Sequence, residues 1–398
     1  MKKTLLVGAL TGVFATMAHA QSSVTLYGLL DAGISYSNSA SSPQGRSLVQ
    51  MSNGMMQSNR WGLRGAEDLG GGLKAIFVLE NGFNLTSGKL AQGGREFGRN
   101  AYAGLSSSTY GTVTLGRQNE FMYDYVSRMG MSNSNGTGGN LFAHVMDNDN
   151  LIGSGLGRIN NAVKYTSTNF SGLTVAGLYG FSNQAGAFAN DRAYSLGATY
   201  SNGPINAALA YTQVNNGNAA LNSGGAVDAN TTTADSSFTA QRVRIFGGGL
   251  NYTFGPANVG FVITDTKLNA AIGFSSTGTP LSTANAAYVH FTNYEVNAHY
   301  SLTPALTLGA AYTYTQGKFV NATNSVSPTW NQFGLLADYA LSKRTDVYTG
   351  ATYNHLNGGM AKGATGGAVQ FEGASSYIGG TGSASNQVVV GVGMRTRF

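Results

Sequence analysis

The sequence predicts an all-β chain folded as a transmembrane antiparallel β-barrel of sixteen strands. Apolar and polar residues alternate in stretches of roughly ten, the length and period of a strand tilted across a bilayer. Tight turns and long polar connections follow one another in strict alternation. After residue 20 there is no run of about 18 consecutive apolar residues, so hydropathy offers no membrane helix.

The composition agrees. The 398 residues include 57 Gly, 21 Tyr, 19 Phe and 6 Pro, with 10% charged residues and a mean hydropathy of −0.08. A barrel tolerates such polarity because only every second residue of a strand meets lipid. With no cysteine, stability has to come from a large continuous structure, which a closed sheet supplies.

The first residues have a separate purpose. Met1-Lys2-Lys3, an apolar run from Leu5 to Met17 and the string Ala18-His19-Ala20 form a secretion signal, with the cut expected between Ala20 and Gln21. The run is too short to cross a ~30 Å hydrocarbon core as a helix. The expected organisation is a cleaved segment, 1–20, followed by one barrel, 21–398. Without Lys2 and Lys3 the chain carries 21 basic and 17 acidic residues, a net charge of +4. A pI near 9.3 suggests nucleic acid, but there is no run of five like charges and no basic cluster interleaved with aromatics, so that partner is excluded.

Seven tight turns are marked by Gly, Pro, Asn and Ser chemistry: 67–72 (EDLGGG), 107–111 (SSTYG), 169–172 (NFSG), 201–204 (SNGP), 255–256 (GP), 302–304 (LTP) and 342–344 (SKR). Eight long connections lie at 37–54, 84–97, 119–157, 182–191, 214–241, 267–287, 318–328 and 358–385. Fifteen connections imply sixteen strands, an even number with short turns on the periplasmic rim and long loops on the other. A soluble sandwich has no reason to put every long loop on one rim.

Parity assigns the faces, since successive side chains point to opposite sides of a strand. On the last strand Val388, Val390, Val392, Met394, Thr396 and Phe398 share the lipid face, opposite Gln387, Gly391, Gly393, Arg395 and Arg397. Likewise Ala75, Phe77 and Leu79 alternate with Lys74 and Glu80, and Tyr294, Val296, Ala298 and Tyr300 with Glu295, Asn297 and His299. Charges therefore fall inside, where water spares them the ~2 to 4 kcal/mol that a Lys or Arg costs on the lipid face near the midplane. The first strand, 24–36, must pair with the last, because an open edge in lipid strands backbone N–H and C=O groups. A ring of sixteen strands is too wide for side chains to fill, leaving a wet interior. Tyr27, Tyr200, Phe254, Tyr300, Tyr339 and Phe398, near strand ends, suit a girdle at head-group level.

Five strings are specific enough to suggest a family: SSVTLYGLLDAGISY (22–36), RWGLRGAEDLGGGLKAIFVLENGF (60–83), AYAGLSSSTYGTVTLGRQ (101–118), LSKRT (341–345) and the terminal VVVGVGMRTRF. In this order they resemble the general trimeric porins of betaproteobacteria, of the Burkholderia and Neisseria type. The resemblance covers most strands and none of the loops. It implies a homotrimer of sixteen-stranded barrels, each narrowed by an inward-folded third loop, here 119–157, the longest connection. It further implies an outer-membrane location among outer-membrane lipids, a terminal Phe398 read by the assembly machinery, and constriction arginines at Arg60, at Arg158 and at Arg99 or Arg95. The PEFGG string of some neisserial third loops is missing here.

On that reading, Arg60 and Arg64 point into the lumen from the second strand, opposite Trp61 and Leu63. Arg158 and Lys164 add basic charge from the sixth, and Glu120, Asp124, Asp147 and Asp149 face them from the third loop. Opposed charges across a narrow gap act on a passing ion when closer than a Debye length, ~8 Å at physiological salt. The same arginines also serve a purely structural reading, in which they pair with loop acids and hold the loop. Arg99 has the parity of Ala101 and Ala103, so it requires a bulge or a place beyond the strand. Asp31 and Glu80 are inward by parity and fit solvated wall positions. His290, His299 and His355 read as lone lumen or rim residues.

Enzymatic motifs are missing: there is no GxSxG, HExxH or GxxxxGK[ST]. GSGLG at 153–157 lacks the lysine of a phosphate loop, and DNDN at 147–150 is half a calcium loop followed by Leu151 and Ile152. No cofactor or metal is expected. The function that follows is passive diffusion of ions and small hydrophilic solutes, with a weak anion preference. The alternatives are a substrate-selective channel, a barrel enzyme with His, Ser and an acid on one rim, or an adhesin displayed by its polar loops.

Overall fold

The fold is a computed structural model that describes residues 23–40, 47–132, 138–215, 224–227, 238–274, 287–320, 325–358, 375–376, 378, 380–381 and 384–398. The expected signal and its cut at Ala20 and Gln21 lie outside the described residues. Sixteen strands form the barrel: β1 (Ser23–Ser37), β2 (Arg60–Gly70), β3 (Leu73–Gly82), β4 (Asn100–Ser107), β5 (Gly111–Gln118), β6 (Ile159–Thr166), β7 (Leu173–Gly180) and β8 (Arg192–Asn202) in its first half. The second half comprises β9 (Ile205–Asn215), β10 (Phe238–Phe254), β11 (Ala257–Phe274), β12 (Ala287–Ser301), β13 (Leu306–Val320), β14 (Thr329–Ala340), β15 (Thr345–Asn357) and β16 (Asn386–Arg397).

Every strand pairs antiparallel with its neighbours in sequence, and β1 closes the ring on β16 from Leu29↔Arg397 to Ser37↔Val389. On its other edge the lower half of β1 pairs with β2, and its upper half with a short added strand, Leu48–Asn53. The seam is sealed by the last residue: Phe398 N–H donates to Gly28 O (3.1 Å), Gly28 N–H donates to Phe398 O (3.0 Å), and the Phe398 ring occupies the space a Cβ on Gly28 would need.

The seven tight turns fall where the turn chemistry puts them. The long connections differ. The first contains the added strand, and β10 and β11 run further than expected, beginning at Phe238 and ending at Phe274. With 17 and 18 residues they exceed the roughly ten that span a bilayer, and at their upper ends the usual alternation is reversed, with Val243 and Leu268 buried on the inner face and Arg242, Arg244 and Lys267 on the outer one. By contrast β4 to β7 have 8 residues each.

Facing follows parity. On β16 Val392 and Met394 are 55% and 51% exposed to the lipid side, whereas Arg395 is 1% exposed within. Of the six aromatics expected in a girdle, Tyr200, Phe254, Tyr300, Tyr339 and Phe398 face out. Tyr27 does not: it shares the inner parity of Asp31, and its hydroxyl donates to Glu80 Oε2 (3.0 Å). The wet interior is also narrower than a bare ring. Apolar loop side chains pack onto inner-wall glycines, where a Cβ on Gly197 would lie 2.7 Å from Phe121 Cβ, one on Gly350 2.7 Å from Leu141, and one on Gly334 2.5 Å from Phe142.

At the periplasmic end Arg395 donates to Asp346 (3.0 and 3.2 Å) and to Asp338 (2.9 Å), and the half-exposed Arg397 reaches Asp346 (3.0 Å). Arg395→Met leaves Asp338 without its cation and Asp346 with Arg397 alone, and is expected to cost about 3 kcal/mol. Arg397→Met, at a wet position, is expected to cost less than about 1 kcal/mol. Urea unfolding midpoints of the barrel in detergent rank the two.

Candidate functional site: the inward loop and the charged wall

The third loop leaves β5 at residue 119, turns back through a short helix α1 (Phe121–Asp124) and, among its described residues, three short 3₁₀ turns, and rejoins the wall at β6. Its apolar side chains Phe121, Met122, Val126, Met129, Leu141 and Phe142 are buried against the inner wall. Polar groups fix its position. Glu120 caps α1 by accepting from Met122 N–H (2.5 Å) and Tyr123 N–H (3.0 Å), and it also accepts from Thr212 on β9 (2.6 Å) and Asn150 (2.8 Å). Asp147 accepts from Ile152 N–H (3.0 Å), Ser154 N–H (2.7 Å) and Gly155 N–H (3.0 Å). Burial and the nearby Asp149 push the Asp147 carboxyl up to about 7.

The strongest anchor is a histidine. His144 Nδ1 lies 2.6 Å from Asp149 and Nε2 lies 2.7 Å from Glu295 on β12, all three fully buried. Burial opposes protonation, but the two carboxylates outweigh it and push the imidazole up to about 10, while the imidazolium holds Asp149 below the carboxylate range. Around them Thr264 donates to Asp149 (2.7 Å), Asn293 donates to Asn148 (2.7 Å), and Glu295 accepts from Met131 N–H (2.7 Å). The first loop braces the other end. Asp31 accepts from Met56 N–H (3.2 Å), Gln57 N–H (2.8 Å) and the Tyr348 hydroxyl (2.5 Å), and the loop so held accepts from Asn140 N–H (2.8 Å) and Leu141 N–H (3.0 Å) of the third loop.

Several expectations are thereby corrected. Glu120, Asp147 and Asp149 do not face a basic wall; they are 0% exposed, because their oxygens are taken up by the loop's own N–H groups and by β9, β11 and β12. Asp31 is likewise fully buried and holds a loop where a solvated wall residue was expected. His290 is not alone, lying 2.5 Å from Asp265. DNDN is a hydrogen-bonded turn, with Asp147 accepting from three loop N–H groups, Asn148 donating to Val145 O (2.8 Å) and Asn150 to Glu120 (2.8 Å).

The basic wall forms on the opposite side. Arg99, just outside β4, donates to Glu80 Oε1 (2.7 Å) and to the Tyr123 hydroxyl (3.2 Å), which removes its parity problem. Arg60 stands 4.0 Å from Glu80 Oε2 with 24% of its side chain exposed. Arg158 lies over the Tyr123 ring (5.7 Å) and donates to Gly153 O (2.7 Å), nearly buried. Burial works against ionisation of Tyr123, yet Arg99, Arg158 and Arg60 hold its phenol below the ordinary value. Lys164 pairs with Asp124 and donates to Asn119 O (2.9 Å), and Arg64 lies over Tyr27 (5.3 Å). Glu80 is nearly buried beneath these cations. The charged residue of the described third loop that is exposed is Arg128.

Comparison with known proteins then decides the family. A model of the Gram-negative porin family matches residues 5–359. This chain belongs to that family. An outer membrane porin protein of Bordetella pertussis is 39% identical over 240 residues, 55% of this chain and 61% of that one. Outer membrane porin protein 32 of Delftia acidovorans is 32% identical over 282 residues, 69% of this chain and 72% of that one. The aligned part thus spans less than two thirds of the Bordetella relative. Among solved structures, an anion-selective porin from Comamonas acidovorans superposes with a TM-score of 0.66 at 24% identity, covering 95% of this chain and all of that one, which supports the fold. Membership of this family and the barrel place the porin in the outer membrane of a Gram-negative cell.

Parity reasoning missed His144, Tyr123 and Arg128, because all three lie in an irregular loop with no period to point their side chains. His144 also makes the loop's hold pH-dependent. Its pKa is raised in the fold from 6.5, so its stabilising contribution is complete below about pH 6.5 and is lost as the pH climbs through about 10. Single-channel current noise is expected to rise between pH 8 and 10. His144→Leu, which leaves Asp149 and Glu295 facing each other, is expected to show that noise already at pH 7 and to lose about 3 kcal/mol of stability.

Proposed function

We propose that the protein is a passive, water-filled channel for ions and small hydrophilic solutes with a preference for anions. The observation that carries the preference is the burial of the loop acids. Arg60, Arg64 and Arg128 meet water, backed by Arg99, Arg158 and Lys164, while Glu80 and Asp124 are the carboxylates paired among them. Fixed charges at a low-dielectric wall focus the field into the gap and raise the local anion concentration. The anion-selective porin with the same fold is in keeping with this reading. The trimer implied by the resemblance belongs to the same proposal, as does recognition of Phe398 by the outer-membrane assembly machinery.

Reversal potential in a salt gradient across a planar bilayer tests the preference. Wild type is expected to favour chloride over potassium. Arg60→Ala with Arg128→Ala lowers the permeability ratio by roughly threefold, ~0.6 kcal/mol in ion energy, the scale of one unit charge acting through water at a few ångströms. Asp124→Asn raises the ratio. The preference fades in 1 M salt, where the Debye length shrinks to ~3 Å. A wild-type channel that favours potassium contradicts the proposal. Saturation of liposome swelling by one sugar favours the substrate-selective alternative.

A further inference from the structure

We propose that the methionines seated between the inner wall and the first and third loops are a modification site, at which a hypohalous acid entering the lumen turns thioethers into sulfoxides and so narrows the channel. The observation is a repeated fit of methionine against wall glycine. Met55 occupies the space of a Cβ on Gly391 of β16, and Met122 that of one on Gly247 of β10. A Cβ on Gly249 would come 2.5 Å from Met129 Cβ, one on Gly309 of β13 2.6 Å from Met131 Cε, and one on Gly350 of β15 3.1 Å from Met56 Cε.

The seats are full. Met55, Met122 and Met131 are 0% exposed and Met56 1%, within the apolar clusters that join the loops to the wall. A close-packed interior leaves no room for an added oxygen, and a sulfoxide is a polar acceptor where the thioether was apolar. The wall glycines lie in strands paired on both edges, so their N–H groups are already in the ladder and offer that oxygen no donor. An acceptor buried without a donor is costly, and the lumen beside the loop holds water. The oxidised side chain therefore leaves its seat. Because the wall is a closed sheet, the loop yields and the wall does not, and the loop lifts into the gap towards the basic wall.

Access and chemistry agree. Of the five seated methionines Met129 is the most exposed, at 8%, and it follows the exposed Arg128, so it meets the oxidant first. Its sulfur gives two electrons to the chlorine of hypochlorous acid. Chloride leaves, oxygen ends on sulfur and a proton passes to water, so that one thioether and one hypochlorous acid yield one sulfoxide, one chloride and one proton. Once Met129 has lifted, water reaches Met122 and Met131 on either side of it in the chain. The oxidant thereby reduces the flow through the pore that admits it.

The test uses the full barrel in a planar bilayer, titrated with hypochlorous acid, while peptide mass spectrometry of the same preparation reads each methionine. Single-channel current is expected to fall at least about twofold as Met129, Met122 and Met131 become sulfoxides. A triple variant, Met122→Leu, Met129→Leu and Met131→Leu, fills the same seats with side chains of similar volume that form no sulfoxide. It is expected to conduct like wild type before treatment and to keep its current during it. Met51→Leu removes a thioether that is 65% exposed and leaves the response intact. Should the triple variant not form channels, Met129→Leu alone is expected to raise the dose that halves the current severalfold. Sulfoxide at 122, 129 and 131 with an unchanged or larger current overturns the proposal. So does survival of these three at a dose that has fully converted Met51. A fall in the current of the leucine variant at the wild-type dose also overturns it, since the loss then comes from other side chains. Current through the untreated channel is read first, which keeps a failure of this test apart from the question of ion preference.

Discussion

A sheet that crosses a hydrocarbon layer has to satisfy every backbone N–H and C=O from within, and the ring from β1 to β16 exists because of that requirement. Each edge left open costs several kcal/mol per unpaired group, so the last residue of the chain takes part in the seam, with Phe398 exchanging two hydrogen bonds with Gly28. Once the ring is closed, parity divides every strand into a greasy face and a wet one, and the charged residues of the spanning segments turn inward wherever the bilayer is deepest.

A closed ring of this size is hollow, and what fills part of it is a loop that carries its own charges inside. Burying His144, Asp149 and Glu295 is tolerable because each finds an opposite charge and hydrogen bonds within 3 Å. The same network leaves the loop acids little to offer a passing solute. An acid in the third loop is therefore spent on architecture at 120, 147 and 149 and left within reach of water only at 124, paired with Lys164. The wall glycines are the complement of this arrangement, since a Cβ at 197, 334 or 350 would occupy the space that the loop's apolar side chains take.

The outside of the barrel is organised by depth. Aromatics stand at the periplasmic ends of the strands, aliphatic residues above them, and the cations of β8–β13 higher still, beyond the height at which lipid forbids charge. The long strands β10 and β11 carry this sheet surface past the apolar band.

Strand number, turn positions, the facing of β16 and the closing pair were legible in the sequence, because a period of two and Gly, Pro, Asn and Ser turns are local signals that the bilayer leaves no freedom to override. Arg60, Arg64 and Glu80 were placed inside for the same reason. The ends of β10 and β11 were not legible, since there Val243 and Leu268 are buried inside while Arg242, Arg244 and Lys267 take the outer face, the reverse of the alternation that marks a spanning strand. Nor were the fates of Asp31, Glu120, Asp147 and Asp149 or the part played by His144. Whether an inward acid meets water or a buried partner depends on which loop atoms come back to it across the barrel, on contacts up to 317 residues apart in the case of Asp31 and Tyr348. By itself the sequence determined the cylinder and its two faces, through rules that act between adjacent residues. The tertiary structure alone decided which charges inside it are neutralised and which remain for a solute, because that is settled by partners the chain brings together only on closing.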